Sequence, residues 1–130
     1  MNEIFLIDDD HLVNFLNQEI IKESYPQQLV RAFDNVIEAI EYFKQLVGID
    51  VTKKSIKYIF LDINMPGLDG WDFLDLFEQL PASVTAQCKV IMHTSSIDPS
   101  DIEKTKTFKS VADYTTKPLT PQILAKIFLP

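Results

Sequence analysis

Short apolar runs alternate along the chain with longer stretches of helical period. Ile4-Phe5-Leu6-Ile7 is apolar without alternation, the pattern of a strand buried on both faces. Leu12, Leu16 and Ile20, with Val13 beside them, recur at helical spacing to about Glu23. Tyr25-Pro26 stops that helix, because the residue before a proline is pushed out of helical backbone. Leu29 to Phe33 predicts a second strand, and Arg31 in its middle suits a position nearer the sheet edge. Val36, Ile40, Phe43 and Val47 predict a second amphipathic helix, ended by Gly48. Asp50 to Lys57 is a polar linker.

The second half continues the alternation. Tyr58-Ile59-Phe60-Leu61 predicts another buried strand, and Met65-Pro66-Gly67 a turn. Trp71 to Leu80 reads as a helix with Phe73, Phe77 and Leu80 on one face, closed by Pro81. Val90-Ile91-Met92 forms the core of a fourth strand. Asp98-Pro99 then supplies an N-cap and a proline at the first helical position. That fourth helix carries few large apolar residues, chiefly Ile102 and Phe108, so it should pack lightly and move easily. Ala112 to Thr116 is a fifth, more polar strand, and Thr120-Pro121 caps a short last helix bearing Ile123, Leu124, Ile127 and Phe128. Five β-α units in sequence predict a doubly wound parallel sheet with helices on both faces. With the most apolar strands (first, third, fourth) at the centre, this is a flavodoxin-like (βα)5 fold of strand order 2-1-3-4-5.

Composition narrows the class. The 130 residues suit one domain, taken as 1–130 with no output domain in the chain. A single cysteine, Cys88, excludes a disulfide framework and a cysteine-based zinc site. The net charge of −7 argues against a nucleic-acid footprint, and no apolar run approaches the roughly 18 residues that span a bilayer. Met1-Asn2-Glu3 lacks the start of a secretion signal, so a cytoplasmic protein without membrane contact is expected.

In open α/β sheets ligands bind at the carboxyl ends of the strands. Strand one ends in Asp8-Asp9-Asp10, strand three in Asp62, strand four in Thr94-Ser95, and strand five runs into Lys117-Pro118. Clustered carboxylates repel one another unless a cation joins them, and hard oxygen ligands favour Mg²⁺. One lysine beside such a cluster points to a phosphoryl group, whose oxygens metal and ammonium would neutralise together. Asp62 is then the natural nucleophile, because a carboxylate can attack phosphorus and become an aspartyl phosphate.

Four ordered segments carry a resemblance: Phe5 to Asp10, Phe60 to Gly70, Met92 to Ser95, and Tyr114 to Pro118. Together they are similar to the response-regulator receiver family, from Ile4 to about Phe128. The resemblance implies that Asp62 is the phosphoacceptor and that Asp9 is a direct metal ligand. It implies that Asp8 acts mainly through metal-bound water and that Asn64 contributes its backbone carbonyl to the metal. Thr94 matches the switch hydroxyl, Lys117 the phosphate-pairing lysine, and Tyr114 the aromatic that swings inward on phosphorylation. Pro118 matches a proline that in this family commonly follows a cis peptide. Ser95 stands where alanine is frequent and brings a hydroxyl near the phosphate. Asn64 and Ser96 occupy positions that influence the lifetime of the aspartyl phosphate.

The implied activity is signalling, not turnover of a free substrate. A sensor histidine kinase or histidine phosphotransfer protein would donate to Asp62, and a downstream protein would read the face of the fourth helix, fifth strand and fifth helix. Two other classes share parts of the pattern. A Mg²⁺-dependent phosphohydrolase of the haloacid-dehalogenase type also uses an aspartyl nucleophile, but wants a second acid where this chain has Asn64, and normally places its nucleophile after the first strand. A receiver fold that only binds protein would have no use for the retained acids, Thr94 and Lys117. His11, His93, Trp71 and Cys88 read as surface or packing residues.

Overall fold

The structure, a computed structural model, describes residues 2–49, 55–96 and 98–128. Its elements run β1 (Glu3–Ile7), α1 (His11–Ser24), β2 (Leu29–Phe33), α2 (Val36–Lys44), β3 (Lys57–Leu61) and α3 (Gly70–Phe77). They continue with α4 (Ala82–Thr85), β4 (Cys88–Thr94), α5 (Pro99–Thr105), β5 (Val111–Thr116) and α6 (Pro121–Phe128). Every neighbouring pair of strands is parallel, and the sheet order is β2-β1-β3-β4-β5, the flavodoxin-like order. Arg31 lies on an edge strand, while β1, β3 and β4 are interior.

Side chains on a strand alternate between faces, so the apolar runs feed two cores at once. Phe5, Ile7, Ile59, Leu61, Val90 and Met92 pack with Phe43, Phe73 and Phe77 from α2 and α3. Ile4, Leu6, Tyr58, Phe60 and Ile91 pack with Ile21 of α1 and Leu124 of α6.

Besides the helix expected to carry Phe108, which ends at Thr105 and leaves Phe108 beyond it, the elements differ from the sequence expectation in three places. The helix expected over Trp71–Leu80 stops at Phe77, with Glu78 as its C-cap, and Pro81 then opens the short α4 by accepting from the Val84 and Thr85 amides. The chain therefore has six helices rather than five among the described residues, and the expected fourth and fifth are α5 and α6. Second, α2 ends at Lys44; residues 45–47 close tight turns on to carbonyls three residues back, and Gly48 carries φ +84°. Val47 is exposed as a result. Third, the expected apolar stripe of α1 is not its buried face. Leu12 (63% exposed) and Leu16 (50%) face solvent, whereas Asn14, Asn17 and Ile21 face the sheet. Of the Asp50–Lys57 linker, residues 50–54 lie outside the described residues and Lys57 already opens β3.

Candidate functional site

Parallel register brings the chemistry together. Ile7 pairs with Leu61 and Leu61 with Met92, so the residues after β1 and β3 and at the end of β4 emerge side by side. The Asp8 amide donates to the Phe33 carbonyl, the Asp62 amide to Ile7, and the Lys117 amide to Thr94, extending the sheet one step beyond each strand. Asp8 and Asp62 are buried at this edge and Asp9 is exposed; one carboxylate oxygen from each lies within 4.8 Å of the others.

Lys117 is the one cation in that group among the described residues. Its Nζ lies 2.5 Å from Oδ2 of Asp8 and 3.3 Å from Oδ1 of Asp62. The lysine follows Thr116 at the end of β5, and its peptide bond to Pro118 is cis. Oδ1 of Asp8 accepts from the Asp10 amide, whereas Oδ2 is buried and has no aligned hydrogen-bond donor, only the lysine's charge beside it. Three clustered carboxylates, whose charge a single lysine only partly offsets, fit a hard divalent cation.

Burial pushes the Asp62 carboxyl up to about 6, and the neighbouring Asp8 charge adds to the rise against the opposing pull of Lys117. For Lys117, burial favours the neutral amine, but the adjoining Asp8 and Asp62 carboxylates outweigh it and hold the ammonium above the ordinary lysine range. The site thus contains a carboxylate ready to ionise fully once a further cation enters.

The surrounding loops are fixed by local chemistry. Asp10 caps α1 by accepting from the Leu12 and Val13 amides, a role hidden in the sequence within an acidic run. Asp69 and Asp72 form a capping box at the start of α3. Between Asp62 and that cap the chain folds back so closely that the Gly70 amide donates to Ile63, and a Cβ on Gly70 would stand 2.5 Å from the Asp62 carbonyl oxygen. Only glycine fits there. The Asn64 amide donates to Oδ1 of Asp62 at 3.4 Å.

Thr94 is buried and its hydroxyl donates to the Ser96 carbonyl, while Ser95 is exposed. Tyr114 is 38% exposed at the β5 edge. Between Thr94 and Tyr114 lies a small cavity also lined by Ile63, Met92, Ile102 and Thr105. Helix α5, with Thr105 as its only buried residue, and the turn after it meet α3 at Trp71: the ring of Phe108, three residues past the helix, is 6.0 Å from the indole and Lys104 of α5 sits 4.6 Å above it. His11 is exposed and 2.9 Å from Asp34; His93 is buried against Phe60 and held neutral, its imidazole pushed down to about 4 by burial and by Lys117. Cys88 is buried, with its thiol pushed up to about 12 by desolvation.

Sequence reasoning missed two buried polar residues on α1. The Asn14 amide group donates to the carbonyls of Asp8 (2.9 Å) and Phe33 (3.5 Å), and Asn17 Oδ1 accepts from the Leu119 amide at 3.2 Å. The available signal was their three-residue spacing on the side of the helix opposite the leucines.

A family model described as the response regulator receiver domain matches residues 4–128. A two component response regulator from Cytophaga hutchinsonii is 33% identical with a TM-score of 0.85, covering 98% of this chain and 94% of that one. A response regulator receiver protein from Dyadobacter fermentans DSM 18053 (24% identity, TM-score 0.82, 98% and 94% coverage) shares the fold. The Mn²⁺-bound form of response regulator Rcp1 is 26% identical with a TM-score of 0.69, covering 98% and 88%. No curated protein matches.

Proposed function

The chain belongs to the response regulator receiver family, and from that premise we propose that it takes a phosphoryl group from a phosphohistidine on to Asp62. The observation that carries this reading is the meeting of Asp62 with Asp8, Asp9 and Lys117 at one sheet edge. Mg²⁺ would be held by Asp8, Asp9, Asp62 and the Asn64 carbonyl, and when bound it would neutralise phosphoryl oxygens and the acids around them. That a similar receiver, Rcp1, is a Mn²⁺-bound form supports a divalent cation here.

An Asp62 carboxylate oxygen forms the new P–O bond while the P–N bond to the donor imidazole breaks, the nitrogen keeping the electron pair. Position and charge do most of the work, because such transfers ask for little covalent chemistry from the protein. Lys117 leaves its ordinary partner Asp8 to meet a phosphoryl oxygen. Thr94 and Ser95 donate hydroxyls from the far side. As Thr94 turns away from Ser96, room opens for Tyr114 beside Ile102 and Thr105, and α5, β5 and α6 shift population toward a second arrangement read by a downstream protein.

The donor is a sensor histidine kinase or a histidine phosphotransfer protein, and the chain acts as a signalling phosphoacceptor rather than as an enzyme for a free substrate. Incubation with acetyl phosphate and Mg²⁺ tests the assignment. Intact-mass analysis should show one added phosphoryl group on the wild type and none on Asp62→Ala; equal, metal-dependent uptake by the variant would sink it.

A further inference from the structure

We infer that Asn14 and Asn17 of α1 are positioning residues that set the Asp8 carboxylate and the Lys117 ammonium at the spacing one shared anion requires, an inference that rests on the phosphoacceptor reading. Helix α1 is inverted. Its apolar residues Leu12, Phe15 and Leu16 are at least half exposed, while Asn14 (6%) and Asn17 (2%) are turned inward. Burying two amides and exposing three apolar side chains works against stability, so the bonds those amides make must matter to the architecture.

Those bonds run to the two halves of the site. Asn14 donates to the carbonyl of Asp8 and to that of Phe33, which also accepts from the Asp8 amide. The turn that carries Asp8 and Asp9 is therefore pinned from two sides. Asn17 accepts from the amide of Leu119, two residues beyond Lys117 and 102 residues away in sequence. Three residues apart, the two asparagines share one helix face. A single rigid helix thus braces both ends of the Asp8–Lys117 pair, whose atoms meet at 2.5 Å.

The two bonds have opposite polarity. Asn14 must donate: its amide group faces two carbonyls, and its own Oδ1 is buried without a hydrogen-bond partner. Asn17 must accept. The same substitution therefore gives opposite outcomes: aspartate retains function at 17, where an acceptor is needed, and loses it at 14, where an acceptor would face two carbonyls.

The test uses the whole chain and three readouts: Mg²⁺ affinity by calorimetry, the acetyl-phosphate phosphorylation rate at saturating Mg²⁺, and exchange of the Leu119 amide by NMR. Asn17→Leu should slow phosphorylation about tenfold, leave Mg²⁺ affinity no weaker than that of the wild type and lose Leu119 protection, and Asn17→Asp should restore all but a small part of the rate. Asn14→Leu should weaken Mg²⁺ about tenfold and keep Leu119 protected, and Asn14→Asp should not restore affinity. Asn17→Ser, smaller and still an acceptor, replaces Asn17→Leu should that variant not fold, and is expected to be intermediate. Folded variants that move affinity and rate in parallel, or move neither, overturn the brace. A wild type that takes up no phosphoryl group defeats the phosphoacceptor reading alone; the brace is then decided by the other two readouts, and is overturned if Asn14→Leu leaves Mg²⁺ affinity unchanged or Asn17→Leu leaves Leu119 protected.

Discussion

Nζ of Lys117 stands 2.5 Å from Oδ2 of Asp8, closer than its 3.3 Å approach to Asp62. In this arrangement the lysine serves as internal counter-ion to the acid pair and competes for the oxygens a metal would take. Lys117→Met should therefore bind Mg²⁺ several-fold more tightly, by calorimetry, while its phosphorylation rate drops about 100-fold for want of a charge on the transferring group. Weaker Mg²⁺ binding in that variant would contradict the competition.

Asp62 and His93 should produce opposing pH dependences in the metal-free protein. Asp62 rises on folding from 3.8 to about 6, so its contribution to stability is present at low pH and is lost as pH rises through about 6. His93 falls from 6.5 to about 4; its contribution is present above 6.5 and is lost as pH drops through about 4. Between those limits the two slopes nearly cancel. Urea denaturation should show Asp62→Asn losing on the order of 2 kcal/mol as pH falls from 6.5 to 4, with His93→Phe gaining a similar amount over the same interval. Identical pH profiles for the two variants would refute the pairing.

Protonation of Asp62 also competes with the metal. Mg²⁺ affinity should weaken as pH falls below about 6, by up to roughly tenfold per pH unit where one proton is displaced, and calorimetry in buffers of different ionisation enthalpy should detect that released proton.

Gly70→Ala introduces a Cβ 2.5 Å from the Asp62 carbonyl oxygen and 2.9 Å from the Ile63 Cα, both backbone atoms with little freedom to yield. A loss of about 1–3 kcal/mol is expected in chemical denaturation. Phosphorylation should slow as well, because the displaced backbone is that of Asp62, the proposed phosphoacceptor.

The Trp71 ring ties α3 to Lys104 of α5 and to Phe108, three residues past the end of α5. Phe108→Ala should cost about 1–2 kcal/mol and accelerate amide exchange across Pro99–Thr105, with exchange in β1 unchanged relative to global stability. Uniform acceleration throughout the chain would show that α5 does not open independently.

Much of this was legible in the amino-acid order, for a physical reason. Strands buried on both faces need unbroken apolar runs, and the residues directly after such runs must emerge at the sheet edge; hence Ile4–Ile7 and Tyr58–Leu61 locate both themselves and the acids at 8, 9 and 62. Helix faces were less legible. Leu12 and Leu16 outweigh Asn14 and Asn17 in any hydrophobic pattern, and only the distant carbonyl of Phe33 and amide of Leu119 explain why the asparagines face inward. The break between α3 and α4 was hidden because proline both stops one helix and suits the beginning of the next.

The strand order β2-β1-β3-β4-β5 distributes stiffness unevenly. Both aspartates of the buried pair grow from strands flanked on either side, where a displacement would have to drag two neighbours, whereas Tyr114 rides on a margin with a single neighbour and a lightly moored helix. Rearrangement at that margin need not disturb the acids, so the carboxylates can stay in place while Lys117 and Tyr114, both carried by the outer strand, shift beside them.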